Sequence, residues 1–197
     1  MNRSLLSLFF VFVACMSALA GEDGWSEPVN GLRGRLSFGK GEEFGGIQLP
    51  AVYLELENVS RLPIEIFYDT MHPPRFELTD NAGKAVPHQM ADASIMVPPA
   101  WWFTLPFDSA FRFRVSVSGY GVMPRARMAL QLPADFWEID KGDSGVYFIS
   151  ATFTNAEPDL KSIDEIRARK KEHRFAWKGT LELPKIKVPI NSGTAAE

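Results

Sequence analysis

Eleven consecutive residues, Asp143-Ser144-Gly145-Val146-Tyr147-Phe148-Ile149-Ser150-Ala151-Thr152-Phe153, restrict the fold of this chain more than any other stretch. An Asp in a bend bonds neighbouring backbone amides, and a Gly supplies torsions that other residues avoid. The β-branched and aromatic residues that follow favour an extended strand. A Tyr just inside that strand can bury its ring and return its hydroxyl to the bend. The run therefore predicts a polar turn, a corner locked by Tyr147, and a strand that buries alternate side chains.

The remaining chain is read outward from that corner. With 197 residues, 46% hydrophobic and 23% charged, it has the size and composition of one globular domain, or at most two. Residues 1–20 have the pattern of a secretory signal peptide: Arg3, an apolar run from Leu5 to Ala14, and the small-residue cleavage site Ala18-Leu19-Ala20. An apolar run of about ten residues is too short to cross a ~30 Å hydrocarbon core as a helix, so no transmembrane segment is expected. The single cysteine, Cys15, lies inside this leader. Val13-Ala14-Cys15 also resembles a lipoprotein cleavage box, which would make Cys15 a lipid anchor, although Phe12 stands where such boxes usually carry Leu. Cleavage after Ala20 leaves a chain without cysteine, excluding disulfides, thiol chemistry and thiolate metal sites. Loss of Arg3 leaves 20 basic against 24 acidic side chains, a net charge of −4. That balance predicts no affinity for nucleic acid.

After a flexible lead-in over residues 21–28, in which Trp25 can dock on the domain edge, period-two alternation dominates. Leu32, Gly34, Leu36 and Phe38 alternate with Arg33 and Arg35; the glycine-rich stretch 39–46 reads as a loop. Val52, Leu54 and Leu56 alternate with Tyr53, Glu55 and Glu57, and Ile64, Ile66 and Tyr68 follow across the Asn58 to Pro63 connection. Arg75 to Thr79 is a further strand, ended by a turn at Asp80-Asn81-Ala82-Gly83-Lys84. Phe111, Phe113, Val115 and Val117 alternate with Arg112, Arg114 and Ser116, and Met128, Leu130 and Leu132 repeat the period. Near the end the period changes. Leu160, Ile163 and Ile166 with a Ser162–Glu165 capping box predict a helix between Pro158 and His173. Phe175 to Ile190 closes the domain, and residues 191–197 form a disordered tail. The expected architecture is thus all-β, one antiparallel domain over residues 29–190 with one helical insertion before the last strand.

Two resemblances sharpen this. Asp143-Ser144-Gly145-Val146-Tyr147 resembles the D-x-G-x-Y corner of immunoglobulin-like domains, which implies an antiparallel immunoglobulin-like β-sandwich. Asp143, Gly145 and Tyr147 would form its structural corner, and Ile149 takes the place of the second core cysteine, so packing alone must hold the layers. The segment from Val52-Tyr53-Leu54-Glu55-Leu56-Glu57-Asn58-Val59-Ser60 through Pro63-Ile64-Glu65-Ile66 to Leu78-Thr79-Asp80-Asn81-Ala82-Gly83-Lys84-Ala85-Val86 is similar to exported bacterial sandwich modules, including the BsuPI-type proteinase inhibitor domain. That family's proline-glycine-acid stretch after the hairpin is missing here. Protease inhibition is what this second resemblance implies, through a loop such as 39–46 or 91–99.

The residues that carry chemistry are sparse. His72, His88 and His173 lie on separate elements without metal-ligand spacing, and no GxSxG, HExxH or phosphate-cradling loop occurs. Asp140, Asp143 and Ser144, or Asp80 and Asn81, are oxygen donors in turns, where capping is the simpler role. No catalytic residue, cofactor or metal is expected. The aromatic run Trp101-Trp102-Phe103 is the binding candidate, because adjacent strand residues face opposite sides and one aromatic must look away from the core. Trp137 and Trp177 are expected in the core or over its edge. The cationic stretch from Arg167 to Arg174 complements the dipole at the C-terminal end of the expected helix, with contact to an acidic partner or an anionic envelope surface as the alternative. The function expected is a non-catalytic exported binding or accessory module of the bacterial cell envelope, with a proteinase inhibitor and a carbohydrate-binding module as alternatives. Mass spectrometry of the exported protein is expected to find Gly21 as the first residue; a diacylated Cys15 would establish the lipid-anchored form instead.

Overall fold

A computed structural model describes residues 24–44, 47–68, 74–90, 101–116, 126–132, 135–140, 145–155 and 175–189. Among these residues the chain is all-β, with eleven strands and no helix. The helix expected over 159–173 and the corner residue Asp143 lie outside them, as does the loop 91–99.

The largest sheet begins with β1 (Leu32–Phe44) and β2 (Ile47–Asn58), which pair antiparallel along nearly their full length. The glycine-rich stretch expected as a loop is therefore mostly strand: Gly39 to Phe44 continue β1, because β2 supplies partners as far as Ile47. Between Gly39↔Ala51 and Glu42↔Leu49, two residues of β1 oppose the single residue Pro50. A proline lacks the amide that a regular ladder would use, and a bulge is one place where a strand tolerates it. The same device recurs in β11 (Thr180–Lys187), where Pro184 falls at the register shift opposite Ser150.

Beyond β2 the sheet continues through β8 (Ala126–Gln131), β9 (Asp135–Asp140) and the short β5 (Gln89–Met90), while β7 (Ser109–Arg114) also pairs with β2. The pairings are antiparallel except the contact between β2 and β8 at Gln48↔Met128. The stretch after Pro133 is strand β9. A second sheet runs β11, β10 (Tyr147–Thr154), β4 (Arg75–Asp80), and a third joins β3 (Ile64–Tyr68) to β6 (Trp101–Leu105). Their apolar faces meet in one core that draws Leu36, Leu54, Ile66, Leu78, Ile149 and Leu181 from all three sheets. Along β10, Tyr147, Ile149, Ala151 and Phe153 are buried and the residues between them are not, the alternation expected of a strand with one covered face. Tyr147 opens that strand opposite Asp80.

Polar ties close the sheets onto one another. Asn58, fully buried at the end of β2, donates its amide to the carbonyls of Leu62 (2.8 Å), Leu105 (2.9 Å) and Pro106 (3.1 Å). Its Oδ1 accepts from the Ser60 amide (2.9 Å) and hydroxyl (2.7 Å). One side chain thus joins the β2–β3 turn to the β6–β7 turn. Beside it, Asn30 (φ 48°) and Gly31 (φ 82°) make a two-residue turn whose flanks exchange bonds, Val29 N to Leu32 O at 2.8 Å and Leu32 N to Val29 O at 3.0 Å. A Cβ on Gly31 would lie 2.4 Å from the Ser60 Cβ, so both the torsion and the space there require glycine. At the other side Asn155 takes the Phe67 amide on its Oδ1 (3.0 Å) and donates to the Trp177 carbonyl. Glu65 binds the same segment, with Trp177 N donating to its carbonyl at 2.8 Å. Trp177 is buried against Phe153, its indole N–H donating to Val29 O at 2.8 Å.

Replacing Asn58 by Ala removes the donor to the buried Leu105 carbonyl and the acceptor of the Ser60 amide, and is expected to cost about 2–4 kcal/mol, since each orphaned buried group costs roughly 1–3 kcal/mol. Asn58→Asp keeps the shape but turns acceptors toward three carbonyls, and urea denaturation should find it the less stable of the two variants.

Candidate functional site

Three strands present a continuous polar face away from the core. On β1 the outward residues are Arg33, Arg35, Ser37 and Gly39; on β2, Glu57, Glu55 and Tyr53; on β7, Ala110, Arg112 and Arg114. The register sets Arg33 opposite Glu57, and Arg35 and Arg112 on either side of Glu55. Period-two alternation alone places these side chains outward, and cross-strand pairing then matches opposite charges.

Glu55 organises the face. Arg35 Nη2 lies 2.8 Å from Oε2, Arg112 Nε 3.2 Å from Oε1, and the Ser37 hydroxyl donates to Oε1 at 2.5 Å. Its side chain is 12% exposed. Burial pushes the Glu55 carboxyl up, but the hydrogen bonds from Ser37 and Arg35 and the charges of Arg35 and Arg112 outweigh it and hold the group below the usual range. Arg33 pairs with Glu57 at 2.6 Å. Arg112 also reaches the Ser37 hydroxyl at 3.3 Å, and Arg114 donates to the Ser116 hydroxyl at 3.2 Å.

Aromatic rings fix the guanidinium planes as well. Within the expected lead-in, Ser26 donates its amide to Gly34 O (2.8 Å) and accepts from Gly34 N on its hydroxyl (3.0 Å), so residues 24–28 run beside β1. Trp25 then lies under two cations, 4.9 Å from the Arg33 carbon Cζ and 4.4 Å from that of Arg35. Arg112 Cζ sits 4.1 Å from the centre of the Tyr53 ring. That ring crosses Gly39, where a Cβ would come within 2.5 Å of it. The result is an array of four arginines against two glutamates on a chain whose net charge is −3. Among the described side chains of this face cations outnumber anions by two, and bonds and rings hold them in place before any partner arrives.

The aromatic run of β6 is arranged differently. Trp101 is the first residue of β6, opposite Tyr68, and its side chain lies outside the described set. Phe103 packs against the core and touches Phe111, with ring centres 4.9 Å apart. Trp102 faces the other way, half-buried against Phe67 at 5.1 Å. Of the expected corner, Tyr147 is buried and Gly145 exposed. His88 pairs with Asp135 at 3.2 Å and lies 5.4 Å from the Trp137 ring; His72 and His173 are outside the described residues. Burial raises the Asp135 carboxyl, with His88 and Arg75 pulling it partly back. Asp80 spends its Oδ1 on the amides of Ala82 (2.8 Å) and Lys84 (2.9 Å), the capping role. Among the described residues no group of three His, Cys, Asp or Glu side chains is placed to hold a metal, and no helix is long and apolar enough to cross a membrane.

The arginine face was visible in the sequence only as outward positions on three separate strands. What joins them is the β2–β7 pairing, which brings residues far apart in the chain into one row. No protein-family model, curated protein or solved structure matches the chain.

The Glu55 arrangement fixes a pH dependence. Its folded pKa lies below the ordinary carboxylate value, so its contribution to stability is present above that ordinary value and is lost as pH falls through the folded one. Glu55→Gln should therefore be less stable than the parent at neutral pH, and the gap should narrow as acid is added; thermal unfolding at several pH values measures it.

Proposed function

We propose that the chain is a non-catalytic, exported binding module built on an immunoglobulin-like β-sandwich, and that its arginine face receives an acidic protein partner. The single observation that carries the reading is the row of ordered guanidinium groups on one face, Arg35 and Arg112 held by Glu55, Arg33 by Glu57 and Arg114 by the Ser116 hydroxyl. A guanidinium presents several donors in a fixed plane, so it can bond a carboxylate while keeping an internal one. Preorganisation by Trp25 and Tyr53 lowers the entropy lost when a partner docks.

The sandwich reading is supported by the alternate burial along β10, by Tyr147 at its head, and by one core shared among three sheets. Export is supported by the leader-like first 20 residues. A cell-envelope setting fits both. Inhibition through residues 39–46 has less to favour it, since Gly39 to Phe44 are tied into β1.

Poly-L-glutamate tests the reading, because a chain of net charge −3 repels it unless a local positive face prevails. The labelled polymer should bind at low salt, with an affinity that falls as sodium chloride rises. The double variant Arg112→Gln, Arg114→Gln should weaken binding by about tenfold, in line with the loss of two exposed charge contacts. Equal affinity in parent and variant would remove the face as the binding surface.

A further inference from the structure

The arginine face ends at β7, and β7 has features of its own. Among the described residues it pairs only with β2; β8 meets β2 further along, at Gln48. Val115 N donates to Val52 O at 2.9 Å, and the register continues through Phe113↔Leu54 and Phe111↔Leu56. In an antiparallel ladder the bonded pairs alternate, so the backbone groups of Phe111 and Phe113 point to β2, and those of Ala110 and Arg112 point outward. The outer edge of β7 thus offers main-chain donors and acceptors in the spacing of a strand.

Its side chains divide by face. On the core side Phe111 is 39% exposed, an unusual degree for a residue packed on Phe103 and Phe113 at 4.9 and 5.5 Å. On the outer side Ala110 is exposed and leaves room, and the Arg112 side chain is 50% exposed. Sheet edges are commonly guarded by charge, and here the guard is cationic. A second copy added through β7 would set Arg112 and Arg114 beside the same residues of its partner, and like charges at neighbouring cross-strand positions repel. An acidic strand meets no such penalty.

We propose that the outer edge of β7 accepts an extended segment of a partner protein as an added strand, the segment alternating acidic and apolar residues. It rests on the arginine face being the surface for an acidic partner, and narrows that partner to a strand. The acidic side chains lie beside Arg112 on the outer face. The apolar ones cover the exposed rim of Phe111 and Phe103. Main-chain bonds from Ala110 and Arg112 supply affinity, and the two-residue period supplies register.

Three probes test it: an eight-residue peptide alternating Glu and Val, a peptide of the same composition with its Glu and Val residues in separate blocks, and poly-L-glutamate. The alternating peptide should bind about tenfold or more tightly than the block peptide, and should slow amide exchange across Ser109 to Arg114. Methylating alternate backbone nitrogens of that peptide should return it to the block level, a result independent of any protein variant. Ala110→Pro removes one outward amide at an edge that tolerates proline. It should weaken the alternating peptide about tenfold and leave poly-L-glutamate unaffected. Arg112→Gln should weaken both. Equal binding of the alternating and block peptides, or of the methylated and unmethylated ones, would overturn strand addition while leaving the acidic-partner reading in place. Poly-L-glutamate binding that ignores Arg112→Gln would overturn the acidic-partner reading and the inference with it.

Discussion

The primary amide of Asn58 is the constraint on which the arrangement turns. With Cys15 the single cysteine of the chain, no disulfide holds the sheets, and apolar burial alone is non-directional. Burial says that two faces must meet, but it does not fix which turn lies beside which. Asn58 supplies that direction by bonding Leu62, Leu105 and Pro106 at once, and by taking both polar groups of Ser60. The β2–β3 and β6–β7 turns are thereby set side by side, and the second of these turns delivers β7 to the flank of β2. The arginine face exists because β7 arrives there. A buried polar group of this kind is costly unless all its bonds are made, and here they are.

Much of this was legible in the residues. The residue pattern located β1, β2, β3, β4, β7, β8 and β10, and burial alternates along β1, β2, β4 and β10. The Asp80 to Lys84 turn was readable from its own composition, and Trp137 and Trp177 lie in the core with their indole N–H groups bonded to carbonyls. Two stretches were harder. The glycines of 39–44 look like a loop because glycine disfavours isolated strands, yet pairing with β2 and a bulge at Pro50 make them strand; tertiary context outweighed propensity. Asn30-Gly31 is likewise a strong turn signal, but it stands between the lead-in and the first strand with no second alternating run before it to mark a hairpin.

The candidate site was less legible than the fold, for a physical reason. Arg33, Glu55 and Arg112 each read as an ordinary wet-face residue, and a charge on a strand is most often solvated. Only register turns three such residues into an array, and register between β2 and β7 depends on contacts across some fifty residues of chain. By contrast the aromatic run 101–103 is conspicuous in sequence, but Phe103 faces the core and Trp102 leans on Phe67, so much of its surface is already occupied by the protein itself. Conspicuous composition and available surface are separate properties.

The clamp at Asn155 has a further meaning. Its side chain grips the Phe67 amide and the Trp177 carbonyl, so the domain itself pins together the two chain ends that flank residues 156–174. The entropy of closing such an excursion grows only with the logarithm of its length, about 0.6 kcal/mol for each doubling. That makes this junction a natural socket: foreign sequence, a reporter domain or a longer native appendage can be spliced there with the three sheets scarcely registering the change.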